Sequence, residues 1–181
     1  GYKTGMVGKW HLGHRQQFHP LNRGFDEYFG VLAGGTSFIN PEKAGVETIG
    51  QIPSKRSGDY VIYDGFEEVE VEGYLTDRFT EESINFIERH KDEPFFLYLS
   101  HTTPHTPLQA TEKYLSRYRH IEDKKTRIYS AMVSSLDDSV ADIVKKLKSI
   151  GQYENTLIVF TSDNGCAGYI GAACSNAPHA G

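Results

Sequence analysis

The sequence has few residues of the kinds that classify a protein by composition alone. Its 181 residues include two cysteines, two methionines and one tryptophan, which excludes a disulfide-rich scaffold and a cysteine-based zinc site. No stretch approaches the roughly 18 apolar residues of a membrane-spanning helix, and no internal repeat is present. With 38% hydrophobic and 24% charged residues, the composition is typical of one globular domain.

Basic residues are outnumbered by acidic ones overall but are concentrated at the front of the chain. The formal net charge is −5, which argues against a broad nucleic-acid surface. Residues 1–25 nevertheless contain no acid, and they hold seven basic or titratable side chains: Lys3, Lys9, His11, His14, Arg15, His19 and Arg23. Such a segment on an acidic protein suits a small anionic ligand, although chance clustering is an equally simple interpretation.

Two helices and two apolar strands follow one another in the second half of the chain. Apolar spacing predicts a helix over 76–90, capped by Thr76 or Asp77, and a longer helix over 123–150 that Gly151 ends. Continuous apolar runs predict buried strands over 94–100 and 156–162. Residues 59–65 and 67–74 resemble a short strand pair. This alternation predicts an α/β fold with a largely parallel sheet.

Polar residues follow both apolar strands, where ligands collect in parallel sheets. The first strand leads into HTTPHTP, with His101 and His105 available to hold an anion or move a proton. The second leads into DNG, where Asp163 and Asn164 offer the oxygen ligands that Ca²⁺ or Mg²⁺ prefers. The alternatives are a proline-rich surface loop for the first and an Asn-Gly turn for the second.

The segment GKWHLG, residues 8–13, places a lysine and a histidine two positions apart. In an extended chain, Lys9 and His11 would point to the same face and could converge on one anion. The simpler interpretation is a strand end with a solvated lysine. The adjacent pair Asp137–Asp138 is predicted to be solvated or locally hydrogen-bonded, because neighbouring helix positions diverge by about 100°.

Cys166 and Cys174 lie in one Gly/Ala-rich stretch. Their spacing allows either a small disulfide loop or two free thiols.

The order of these motifs resembles that of a known enzyme family. GYKTGMVGKWHLG, NRGFDEYFG, an apolar strand into HTTPHTPLQ, a long helix and VFTSDNG resemble the formylglycine-dependent sulfatases of the alkaline phosphatase superfamily. The resemblance implies a three-layer αβα sandwich, incomplete here, with residues 1–181 forming the central part of one catalytic domain.

The resemblance also implies a role for each candidate residue. Lys9 and His105 would contact the sulfate, and His11 would work beside the nucleophile. Asp163 and Asn164 would form part of a Ca²⁺ or Mg²⁺ site. The substrate would be a sulfated small molecule or a sulfated glycan, and the location periplasmic, secreted or lysosomal.

The sequence departs from the family pattern in its nucleophile. The family converts a cysteine or serine in a C/S-x-P/A-x-R segment into formylglycine, and no such segment occurs here; two acidic metal ligands of the family are also missing. We therefore expect that the formylglycine lies in a preceding segment and that residues 1–181 alone have no sulfatase turnover. The alternatives are a phosphodiester or phosphonate hydrolase of the same superfamily, and a non-catalytic anion-binding protein.

Overall fold

A computed structural model describes residues 1–50 and 55–178 of the chain. The strands are β1 (Lys3–Lys9), β2 (Glu27–Val31), β3 (Val46–Ile49), β4 (Ile62–Asp64), β5 (Glu67–Val69), β6 (Phe95–Ser100) and β7 (Leu108–Thr111). The α-helices are α1 (Leu75–Arg89), α2 (Glu112–Leu115) and α3 (Lys124–Ser149), and short 3-10 helices lie in several of the connections.

A five-stranded sheet in the order β5-β4-β2-β1-β6 forms the centre of the fold. Strand β1 pairs in parallel with β2 on one side and with β6 on the other. Strands β4 and β5 extend the sheet as an antiparallel hairpin, which confirms the strand pair predicted over 59–74. Strands β3 and β7 form a separate antiparallel pair.

One face of the sheet carries the main hydrophobic core. Val7 of β1 and Phe29 of β2 lie side by side on this face and belong to the same core as Phe79 of α1 and Met132 of α3. The two long helices confirm the predicted helical ranges to within one residue at each end. Their apolar stripes pack against the sheet, because an amphipathic helix within a protein gains most of its stability from burying its apolar face.

The opposite face is covered, in the described residues, by the connection between β1 and β2, which contains the short 3-10 helices Gln16–Phe18 and Pro20–Asn22. Met6, Tyr28 and Leu32 are buried there beneath a set of partly buried side chains that includes Trp10 and Phe25. Phe96 and Tyr98 of β6 also lie on this side, 52% and 47% exposed, with Phe25 stacked 6.3 Å and 6.5 Å from their rings. The prediction that 94–100 is buried on both faces is therefore wrong for this face, because one stacked ring leaves both side chains half open.

The start of α1 differs from the sequence prediction. The helix begins at Leu75, and neither Thr76 nor Asp77 caps it, because both lie inside the first turn. The Leu75 N–H instead donates to the Phe38 carbonyl at 2.9 Å, so a loop carbonyl satisfies a donor that would otherwise be unpaired. At the end of α3, Gly151 adopts φ 72° and ends the helix as predicted.

Residues 156–162 are not a strand, which corrects the second strand prediction. Leu157, Val159 and Phe160 are 89%, 75% and 73% exposed, and the segment pairs with none of the described strands. A strand requires a neighbouring backbone to accept and donate its hydrogen bonds. The apolar run supplies the composition of a buried strand, but no described strand supplies that neighbour.

Cys166 and Cys174 form a disulfide with their Cα atoms 6.1 Å apart, which resolves the two alternatives left by their spacing. Among the helices of residues 1–50 and 55–178, none combines the length and apolarity that a bilayer crossing requires.

Candidate active site

The carboxyl ends of the three parallel strands meet at one edge of the sheet. Lys9 is the last residue of β1 and is in register with Val31, the last residue of β2. Ser100, the last residue of β6, donates its hydroxyl to the Lys9 carbonyl at 2.6 Å. Half-buried Lys9 thus stands where ligands bind in parallel α/β sheets.

His11 lies just beyond this strand end, in an uncommon backbone conformation. Its φ is 54°, in the left-handed region that non-glycine residues rarely adopt. Its N–H donates to the Leu32 carbonyl at 3.1 Å. The extended geometry assumed for both Lys9 and His11 is therefore wrong for His11, which lies outside β1 in a left-handed conformation.

His105 lies close to His11 across the dipeptide Gly34–Gly35. A methyl group placed on Gly34 would lie 2.5 Å from Nε2 of His11, and one placed on Gly35 would lie 3.5 Å from Nδ1 of His105. Since neighbouring Cα atoms are about 3.8 Å apart, the two imidazole rings lie within about 13 Å of each other. Two of the five predicted site residues thus flank one loop.

The tautomer of His105 follows from its hydrogen bond. Nδ1 lies 2.6 Å from the Thr106 carbonyl, which can only accept, so Nδ1 carries the proton. Nε2 of the exposed ring is left free to accept a hydrogen bond when neutral, or to donate one when protonated. The His105 N–H donates to the Thr102 carbonyl at 2.8 Å, which fixes the loop around it.

Gln109 joins the two loops that flank the site, a role that the sequence analysis missed. Fully buried in β7, it accepts a hydrogen bond from the Phe38 N–H at 2.7 Å and donates one to the Ile39 carbonyl at 2.9 Å. Phe38 and Ile39 follow the glycine pair, and Gln109 follows His105. In the sequence, the only indication of this role was one polar residue within the otherwise apolar segment PLQA.

Arg56 places a positive charge beneath the same loop. Its guanidinium donates to the carbonyls of Ser37, Phe38 and Val71 at 2.9, 3.3 and 3.3 Å, and burial lowers its pKa. No carboxylate pairs with it within residues 1–50 and 55–178. This uncompensated cation was also missed, since a lone arginine in a polar stretch carries no distinctive pattern.

Two other histidines, His19 and His101, make their contacts within the fold. His101 is half-buried after β6, where its Nε2 lies 2.9 Å from the Ser139 hydroxyl, and desolvation of the ring lowers its pKa to about 4. His19 is buried against Tyr28 and Phe66, and burial lowers its pKa as well. Both favour the neutral form, so the anion-contact hypothesis for the HTTPHTP loop rests on His105.

Asp163 and Asn164 are held within their own turn. The Asp163 carboxylate accepts the Asn164 N–H at 2.8 Å, and the Asn164 amide donates to the Gly165 carbonyl at 2.8 Å. Each side chain keeps an oxygen available, which suits a hard cation but supplies only part of the six to eight ligands of Ca²⁺. The described residues contain no group of three or more His, Cys, Asp or Glu side chains placed to hold a metal.

The two carboxylates of the Asp137–Asp138 pair have different surroundings. Asp137 is exposed, as predicted for a solvated side chain. Both carboxylate oxygens of Asp138 instead accept hydrogen bonds from Arg117, 21 positions away, at 2.9 and 2.7 Å, so its partner is not local.

Comparisons with known proteins agree on the class of this molecule. The family model described as Sulfatase matches residues 1–179, and the chain belongs to that family. Mouse N-acetylgalactosamine-6-sulfatase is 37% identical over 173 residues, which cover 92% of this chain and 31% of that protein. Mouse arylsulfatase J is 35% identical over 170 residues, covering 91% and 27%.

Solved structures show the same fold. The crystal structure of Ps i-CgsB in complex with k-i-k-neocarrahexaose has a TM-score of 0.85 and 37% identity, covering 98% of this chain and 40% of that one. The PsFucS1 sulfatase from Pseudoalteromonas sp. has a TM-score of 0.67 and 28% identity, covering 91% and 36%. These neighbours have the alkaline phosphatase-like α/β fold, which confirms the predicted fold class. The chain spans about a third of the length of the curated relatives that it matches.

Proposed function

We propose that the protein containing this chain hydrolyses sulfate esters, and that Lys9, His11 and His105 handle the sulfate. The observation that carries the proposal is the position of the two histidines on either side of one loop, at the edge of the sheet where Lys9 ends its strand. Two imidazoles and an ammonium group offer hydrogen-bond donors to an anion from different directions.

Each residue has a distinct part in the chemistry. In the transition state, charge gathers on the sulfate oxygens and on the leaving oxygen. Lys9 stabilises the oxygens as a compact fixed charge. His105 directs Nε2 toward the anion when protonated, since Nδ1 is already held by a carbonyl. His11 is the group beside the nucleophile that holds or moves a proton.

Two groups from outside the described residues would complete the site. A formylglycine would provide the nucleophile and a divalent cation would provide Lewis-acid stabilisation of the sulfate. Asp163 would hold part of that cation's shell with one or two carboxylate oxygens, and Asn164 with its one amide oxygen. Their oxygen donors fit Ca²⁺ or Mg²⁺ better than softer metals.

For the substrate, we propose a sulfated glycan. The support is the similarity to Ps i-CgsB, solved with k-i-k-neocarrahexaose, and to N-acetylgalactosamine-6-sulfatase. The Cys166–Cys174 disulfide supports folding in an oxidising compartment, as for a periplasmic, secreted or lysosomal protein.

The test measures inorganic sulfate released by the full-length gene product that carries this sequence. The substrates are an aryl sulfate, a sulfated galactan oligosaccharide and N-acetylgalactosamine 6-sulfate, with an aryl phosphodiester as the competing chemistry. We expect sulfate release that His105→Ala lowers and that substitution of exposed His120, in the connection between α2 and α3, leaves unchanged. Hydrolysis of the phosphodiester alone, or equal activity of His105→Ala and wild type, would contradict the proposal.

A further inference from the structure

The His11 ring occupies space that only a glycine at position 34 leaves free. A methyl group on Gly34 would lie 2.5 Å from Nε2, 2.6 Å from Cε1 and 3.1 Å from Cδ2 of His11. Those three atoms are the nearest to that position, and all belong to one imidazole. The backbone of Gly34 lies outside the left-handed region, so its conformation does not by itself require glycine.

The same segment also holds the His11 backbone. Trp10 and His11 donate their N–H groups to the carbonyls of Val31 and Leu32 at 2.9 and 3.1 Å. The left-handed φ of His11 is unfavourable for a residue with a side chain, and it persists only where the surrounding structure holds it. Residues 31 and 32 therefore hold the backbone of Trp10 and His11 with one carbonyl each, and the His11 ring lies against Gly34 of the same segment.

We propose that Gly34 is a positioning residue for His11. Its missing side chain sets the depth at which the imidazole lies against the loop, and thereby the place of Nε2 in the site. The inference rests on the proposed role of His11 in sulfate ester hydrolysis. Because His11 is exposed, a methyl group at position 34 displaces the ring toward solvent at little cost to folding, while it moves the reactive nitrogen.

The neighbouring glycine provides a matched control. A methyl group on Gly35 would meet Nδ1 and Cε1 of His105 at 3.5 and 3.7 Å and the Thr106 carbonyl at 3.7 Å, which are ordinary van der Waals separations. Its backbone is also outside the left-handed region. The same substitution at adjacent positions should therefore act on His11 in one case and leave both rings in place in the other.

The experiment compares Gly34→Ala, Gly35→Ala, His11→Ala and the double variant Gly34→Ala/His11→Ala in the full-length gene product. The first readout is the rate at which diethylpyrocarbonate modifies His11, measured by mass spectrometry. The second is kcat and KM for an aryl sulfate, and the third is the melting temperature. Labelling reports the position of the ring whether or not sulfate esters are the substrate.

We expect Gly34→Ala to change the His11 labelling rate several-fold and to lower kcat about 10²-fold, since a displacement of about 1 Å can cost that much. KM should change far less, the melting temperature should stay near that of wild type, and Gly35→Ala should match wild type throughout. In the His11→Ala background, Gly34→Ala should cause no further loss, because the ring that it displaces is already gone.

Three results would overturn the inference: unchanged labelling of His11 in Gly34→Ala, an equal loss of kcat in Gly35→Ala, or an undiminished loss in the His11→Ala background. A labelling change in Gly34→Ala together with no sulfate release by any variant, wild type included, would instead contradict the proposed function and leave the support of the ring by Gly34 intact.

Discussion

Gln109 is expected to contribute more to the stability of the site than any single surface contact. Its side chain pairs with the Phe38 N–H and the Ile39 carbonyl at 2.7 and 2.9 Å, and Phe38 is fully buried while Ile39 is 7% exposed. Gln109→Ala leaves the Phe38 N–H and the Ile39 carbonyl without their hydrogen-bond partner, at a position that water does not reach. Leaving a buried polar group unpaired costs about 1–3 kcal/mol, so the two groups together give about 2–6 kcal/mol.

The assay is hydrogen exchange measured by mass spectrometry on peptides spanning 36–40, together with thermal denaturation. A loss of about 2 kcal/mol in local opening free energy corresponds to roughly 30-fold faster exchange at Phe38. The control is Gln152→Ala, which removes a hydrogen bond to the Lys91 carbonyl of similar length, 3.0 Å, from a half-buried position. There water can replace the lost donor, and the expected cost is below about 1 kcal/mol.

The reasoning is refuted if Gln109→Ala and Gln152→Ala have the same melting temperature and the 36–40 peptides exchange at the wild-type rate. That result would mean that the loop after Gly35 keeps its conformation without the link to β7. A loss of activity in Gln109→Ala with unchanged exchange would point to the same conclusion.

Three further predictions concern charge at the site and in the core. Lys9→Ala should lower kcat for a sulfate ester by roughly 10²–10³ with little effect on stability; near-wild-type turnover would make Lys9 a solvated strand-end residue. Because burial lowers the pKa of His101 to about 4, its contribution to stability is complete above about pH 6.5 and falls by about 2 kcal/mol at pH 5. The carboxylate partners of His90 raise its pKa, so His90 also titrates, and comparing the stability of wild type with that of His101→Phe in thermal denaturation isolates the contribution of His101. If this stability difference is the same at pH 8 and at pH 5, the prediction is contradicted. Residues 1–181 should bind Ca²⁺ more weakly than micromolar in calorimetry, since Asp163 and Asn164 supply two or three of six to eight oxygens; tighter binding would require other ligands.

The parts of the fold that the sequence predicted are those with a regular period. The spacing of apolar residues located α1 and α3, because a helix buries one stripe whatever lies around it. The strand prediction over 156–162 was wrong because an apolar stretch has the same composition with or without a partner strand. The prediction that Thr76 or Asp77 caps α1 was wrong because the Phe38 carbonyl, distant in sequence, accepts the hydrogen bond of the Leu75 N–H.

The candidate site was predictable in its titratable residues and unpredictable in what holds them. Lys9, His11 and His105 stand out by residue type and by their place after apolar strands. Gly34, Gln109 and Arg56 act through contacts across 15 to 71 positions of the chain, and no local sequence pattern predicts those contacts. Long-range packing, rather than local propensity, determines where the imidazoles lie.

The most direct test of the account is a crystal structure of the full-length gene product with inorganic sulfate. We expect the anion at the carboxyl edge of the sheet, within hydrogen-bond distance of the Lys9 ammonium and the His105 ring. Asp163 and Asn164 should ligate a cation, with all of these groups within roughly 10–12 Å of a common point. A sulfate bound elsewhere, or a His105 loop on the opposite edge of the sheet from Asp163, would contradict the single shared site.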